Sequence, residues 1–100
     1  MVKHVIIWNL KETFTEDEKQ IIKLNAKKNL EALVGKIDGL IDLKVEINLL
    51  TTSTGEMMLD STFESFEALK TYAIHPAHQA VANEFVRPFT ASRSCVDFEI

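Results

Sequence analysis

The sequence predicts an α+β fold in which helices cover one face of a four-stranded antiparallel sheet. Three patterns predict it: an extended apolar segment at the start, a helical apolar stripe after Thr15, and a strict period of two from Leu40 to Leu50. The composition suits one core, with 46% hydrophobic and 26% charged residues and only three Gly and two Pro in 100 residues. A chain of this size buries roughly two thirds of the surface it exposes when unfolded. Disordered, collagen-like and low-complexity architectures are excluded, and residues 1–100 read as a single domain.

Val2 to Leu10 is rich in β-branched and aromatic residues, and both alternating sets are apolar, Val2/Ile6/Trp8/Leu10 and Val5/Ile7. It predicts a strand covered on both faces, Trp8 included. Thr15 and Glu18 then form a capping-box pattern with acids in the first turn. The stripe Ile22, Ala26, Leu30, Leu33 and Ile37 predicts a helix closed by Gly35 or Gly39. Leu40–Leu50 alternates as a strand, Thr51–Gly55 supplies a five-residue turn, and Glu56–Phe63 resumes the extended pattern as a hairpin partner.

Ser65 offers an N-cap to a short helix carrying Phe66, Leu69 and Tyr72. Pro76 breaks that helix and opens another running to about Pro88, with Val81, Phe85 and Phe89 inward. Cys95–Ile100 alternates as the last strand. The resulting order is the ferredoxin-like βαββαβ arrangement. Its sheet has a second face that something must cover, and a second copy of the chain, sheet facing sheet, is the economical answer.

The net charge of −4 argues against a nucleic-acid partner. No run is long enough to span a membrane, and Met1–His4 does not read as an export signal. One cysteine, Cys95, can form neither an intrachain disulfide nor a Cys-rich zinc site, so a reducing, cytoplasmic setting is expected. Glycine-rich phosphate loops, dinucleotide fingerprints and G-x-S-x-G are missing from the sequence, and no cofactor is expected.

Chemistry concentrates in Tyr72-Ala73-Ile74-His75-Pro76-Ala77-His78, where a phenol and two imidazoles meet at a helix break. His78 can act as a general base or acid and Tyr72 can donate to a developing oxyanion. The same two residues can equally be buried polar groups satisfying backbone around the break. His4, on a strand face with Ile6 and Trp8, can point into the same space, and His75 adjoins it. A metal site is not expected: His75 and His78 lack the helical two-histidine spacing, and His4, Asp60 and Asp97 are not placed by spacing. Cys95 has no histidine near it in sequence and reads as a small strand hydrophobe. Met57 and Met58 read as packing.

Lys3-His4-Val5-Ile6 with Lys11, Thr62-Phe63-Glu64-Ser65 leading to Tyr72, the His75-Pro76-Ala77-His78 motif and the final strand around Asp97 together resemble the stress-responsive A/B barrel (Dabb) domain family over nearly the whole chain. The resemblance implies a dimeric α+β barrel with a ligand-sized pocket between sheet and helices in each protomer. In a plant polyketide cyclase of the family, the matching Tyr and His form a cofactor-free acid/base pair. It therefore implies that Tyr72 polarises a carbonyl, that His78 moves the proton, and that His4, Ile6 and Trp8 line the pocket. Many members have no assigned chemistry, and Lys27 and Lys28 in the first helix fit poorly with a large apolar substrate. Two functions are expected on this basis: a small-molecule-binding homodimer, or a cofactor-independent lyase, isomerase or cyclase acting on a small carbonyl compound.

Overall fold

The computed structural model describes residues 1–100. Its elements are β1 (Val2–Leu10), α1 (Glu16–Glu31), β2 (Leu40–Glu46), β3 (Met57–Phe63), α2 (Phe66–Ile74), α3 (Pro76–Phe85) and β4 (Thr90–Glu99). The strands form one antiparallel sheet in the order β2-β3-β1-β4, the ferredoxin-like βαββαβ fold. No helix is long and apolar enough to cross a membrane.

β1 obeys a period of two. Val2, His4, Ile6, Trp8 and Leu10 are buried, while Ile7 is exposed on the other face. Val2, Ile6 and Trp8 pack with Ala26 and Leu30 of α1, Leu69 and Tyr72 of α2, and Leu59 and Phe63 of β3. Trp8 therefore belongs to the helix-covered layer and does not serve the bare face, contrary to the reading of β1 as doubly covered through Trp8. The bare face carries Val5 between Asp60 and Val96, Ile7 between Met58 and Ser94, and Lys3 between Thr62 and Phe98.

The predicted capping box opens α1: the Glu18 N–H donates to Thr15 Oγ1 at 3.2 Å, and the Thr15 N–H donates to Glu18 Oε1 at 2.8 Å. The helix ends at Glu31, before Gly35 and Gly39. From there the Leu33, Val34 and Lys36 amides each bond three residues back, so Leu33 and Ile37 stay buried although the α-helix has stopped. Gly39 has φ +86° and lies so close to α2 that an added Cβ would meet Ala68 Cβ at 2.5 Å, which fixes the entry into β2.

β2 is shorter than its alternation predicted, and ten residues (47–56), not five, join it to β3. The reason is that the connection leaves the ladder to run beside β1: the Glu56 N–H donates to Trp8 O at 2.9 Å, and the Leu10 N–H donates to Glu56 Oε1 at 2.9 Å. Buried Lys19 closes the arrangement, its Nζ 3.0 Å from Glu56 Oε2. Burial alone would raise the Glu56 carboxyl; the bonds from Lys19 and Leu10 outweigh it and hold the group below its usual range.

The outer edge of β2 is capped at Val45 by side chains of α1. Glu31 Oε2 accepts from the Val45 N–H at 2.9 Å, Lys27 Nζ donates to Val45 O at 2.8 Å, and the two side chains pair with each other at 2.8 Å. Lys27 thus faces the sheet edge. α3 stops at Phe85 rather than near Pro88, and β4 starts at Thr90 rather than Cys95, because β1 pairs with it all the way from Val2↔Glu99 to Leu10↔Thr90.

Replacing Glu31 with Ala is expected to release the Val45 amide into fast hydrogen exchange and to cost about 1–3 kcal/mol by removing a charged partner; a Val45 amide still protected in the variant would show that another group holds the edge. Trp8→Ala should cost about 3–5 kcal/mol in chemical denaturation, and a smaller loss would mean that the core collapses into the space.

Candidate functional site

Between the sheet and α2/α3 lies a cavity of about 130 Å³ whose lining includes His4, Ile6 and Trp8 from β1, Tyr72 from α2 and His78 from α3. The structure thus brings five of the six sequence-selected site residues together. His75 is the exception. Its Nδ1 accepts from the Ala77 N–H at 3.0 Å, so it caps α3 ahead of Pro76 instead of facing the cavity.

Tyr72 and His78 stack across the helix break, ring centroids 4.2 Å apart and planes inclined by 32°. Tyr72 is only 2% exposed, and its ring also meets Phe63 at 4.9 Å. Burial drives its phenol well above the ordinary range, against the opposing charge of Arg93, so it is a neutral donor at physiological pH. Burial pushes the His78 imidazole down; the Ala73 carbonyl pulls it back, and Arg87, His4 and Arg93 push it further down. His78 Nδ1 lies 3.3 Å from Ala73 O. A carbonyl can only accept, so a neutral ring donates from Nδ1 and keeps its lone pair on Nε2.

His4 is oriented from the opposite wall, its Nδ1 2.5 Å from Asp97 Oδ1 across the β1–β4 ladder. Its ring lies edge-on to Tyr72 at 6.4 Å and to Phe63 at 6.2 Å. Cys95, two residues from Asp97, brings its Sγ to 3.8 Å from His4 Nδ1 and 3.5 Å from Asp97 Oδ1. Where a small strand hydrophobe was expected, Cys95 is exposed, and strand pairing gives it the histidine neighbour that its sequence surroundings lack. Burial and the Asp97 carboxylate raise its thiol, with Arg93 offsetting part, so it stays protonated rather than acting as a thiolate. His4, Cys95 and Asp97 place three donor atoms within 4.8 Å of one another, a set that sequence spacing did not reveal; the His4–Asp97 hydrogen bond occupies two of them. Asp60 is elsewhere, paired with Lys3 at 2.6 Å.

Sequence reading missed Arg87 and Arg93, which also line the cavity. The signal for Arg93 was the alternation Arg93, Cys95, Asp97, which extends β4 backwards and places all three on the face of His4, Ile6 and Trp8.

A small cavity beneath two helices, on a sheet of this order, defines the class of ferredoxin-like α+β proteins. The match to the description Stress Responsive A/B Barrel Domain (Dabb) extends over residues 2–100, and the chain belongs to that family. It is similar to a dimeric ferredoxin-like protein of unknown function from Bacteroides fragilis, with 31% identity, TM-score 0.91 and coverage of 99% of this chain and 95% of that one. A protein of Arabidopsis thaliana shares 23% identity at TM-score 0.77, covering 100% and 95% of the two chains. The fold is also that of a hydroxynitrile lyase from Passiflora edulis, at 18% identity, TM-score 0.73 and coverage of 99% and 92%. No curated protein matches the sequence.

The depressed His78 fixes a sign for stability. The unfolded ring takes up its proton near pH 6.5 and the folded ring only at lower pH, so the unfolded state binds more protons between the two values. The contribution of the neutral ring is complete above about pH 6.5 and is lost as pH falls through the folded value. Acidification should therefore lower Tm more steeply in the wild type than in His78→Gln. Parallel curves would assign the acid sensitivity to another group.

Proposed function

We propose that this chain works as a homodimer whose protomers each bind a small carbonyl compound in the cavity and move a proton at the carbon beside the carbonyl, without a cofactor. The observation that carries the reading is the packing of the Tyr72 and His78 rings against each other on one cavity wall. The unprotonated Nε2 of His78 removes the proton, the C–H electron pair passes into an enolate, and the Tyr72 hydroxyl donates to the enolate oxygen. His4, held by Asp97, is a second proton carrier on the opposite wall. The volume favours a compact substrate, since a cavity of about 150 Å³ holds one benzene molecule. A long polyketide chain is a poor fit.

Dimerisation through the bare sheet faces is supported by their apolar residues, Val5, Ile7, Val96 and Phe98, and by the dimeric relative from Bacteroides fragilis. Val96→Asp should give monomers in sedimentation at concentrations where the wild type is dimeric; an unaffected dimer would place the interface elsewhere.

A second reading makes His78 a clasp, its Nδ1 and the Gln79 amide both donating to Ala73 O. Deuterium exchange at the α-carbons of small ketones and aldehydes in heavy water separates the two. The proton-transfer reading expects exchange in the wild type that falls about a hundredfold or more in His78→Gln and drops in Tyr72→Phe. No exchange in the wild type, with His78→Gln melting lower, would leave the clasp.

A further inference from the structure

The sequence contains only two arginines, Arg87 and Arg93, and both line the cavity that holds Tyr72 and His78. They come from separate elements: Arg87 follows α3, and Arg93 lies in β4 opposite Trp8. Neither is in an ion pair. All seven ion pairs of the protein use lysine or histidine. Arg87 Nη1 is held by neutral acceptors, Gln79 Oε1 at 2.8 Å and Asn83 Oδ1 at 2.6 Å, which aim the guanidinium without cancelling its charge. Its other donors are left for a ligand. The protein as a whole carries −4, so two uncompensated cations at one opening run against the overall field and attract anions locally.

We propose that the cavity selects a small oxo carboxylate, its carboxylate held at the opening by Arg87 and Arg93 and its carbonyl placed against Tyr72 and His78. The proposal rests on the proton-transfer reading for the carbonyl end alone; the anion site follows from the arginines. Planar guanidinium forks match a carboxylate. The deeper wall, with Ile6, Leu59, Leu69 and Val86, suits a short apolar tail. The arginines are specificity-determining residues: they fix which end of the substrate enters first and so bring the carbon beside the carbonyl to His78.

The test compares 2-oxobutyrate with butanone, which has the same ketone and ethyl group without the carboxylate, using ligand-observed NMR for binding and deuterium uptake for exchange. Wild-type protein is expected to prefer 2-oxobutyrate about tenfold or more, as charge-assisted bonds require. That preference should collapse towards one in Arg87→Gln/Arg93→Gln, while Arg87→Lys/Arg93→Lys retains part of it. Equal affinity for the two compounds in the wild type, no binding of 2-oxobutyrate, or a preference unchanged by the glutamine pair would overturn the proposal. Arginine-dependent binding without His78-dependent exchange upholds the anion site and removes the proton-transfer reading. Exchange of both compounds at equal affinity does the reverse.

Discussion

Strand β1 lies between β3 and β4, and its period of two commits every second residue to a different environment. One set, Val2, His4, Ile6, Trp8 and Leu10, meets the helices and forms both core and cavity wall. The other set, with Val5 and Ile7, lies on the bare face of the sheet. A shift of one residue would exchange the two sets, placing Lys3 in the core and Trp8 outside. The register is protected against that slip by Glu56, whose backbone and carboxylate hold Trp8 O and the Leu10 N–H while Lys19 holds Glu56. Core, cavity and bare face are thus consequences of one pairing.

The chemistry of the site follows from where charge is withheld. Burial penalises the ionised forms of both Tyr72 and His78, raising the phenol and lowering the imidazole. A neutral imidazole with its lone pair on Nε2 and a neutral phenol are the two states that proton abstraction beside a carbonyl requires. Full charges stand at the opening, on Arg87 and Arg93, where water offsets the cost of ionisation. The wall opposite is different again: His4 and Asp97 meet across a ladder rather than a loop, which holds their geometry rigidly.

Strands and helices were legible where a single periodicity ran uninterrupted, as in β1, α1 and the Ser65–His78 helix pair. Their ends were not. Leu33 and Ile37 continue the helical stripe after the helix itself has ended, because turns with bonds three residues back keep similar side chains inward. Asn48–Leu50 continues the strand alternation after the ladder has ended, because Glu56 is needed at β1. For the site, Tyr72 and His78 were visible because they are neighbours in sequence, and His4 because β1 had a clear face. The contact of His4 with Asp97 and Cys95 was hidden, since it joins residues more than ninety positions apart through a register no local pattern encodes. Lys27, which looked like an obstacle to an apolar pocket, is accounted for by the backbone of Val45.

That last contact bears on how the molecule can associate. A strand edge recruits another chain by offering unpaired amides and carbonyls, and a filament needs two such edges, one at each side of the sheet. Lys27 and Glu31 supply β2 with the donor and acceptor that an intruding strand would bring, at the centre of one edge. A strand approaching the middle of β2 meets a donor and an acceptor already engaged by Glu31 and Lys27, so the helix stands in there for a neighbouring strand and that stretch of edge resists strand addition.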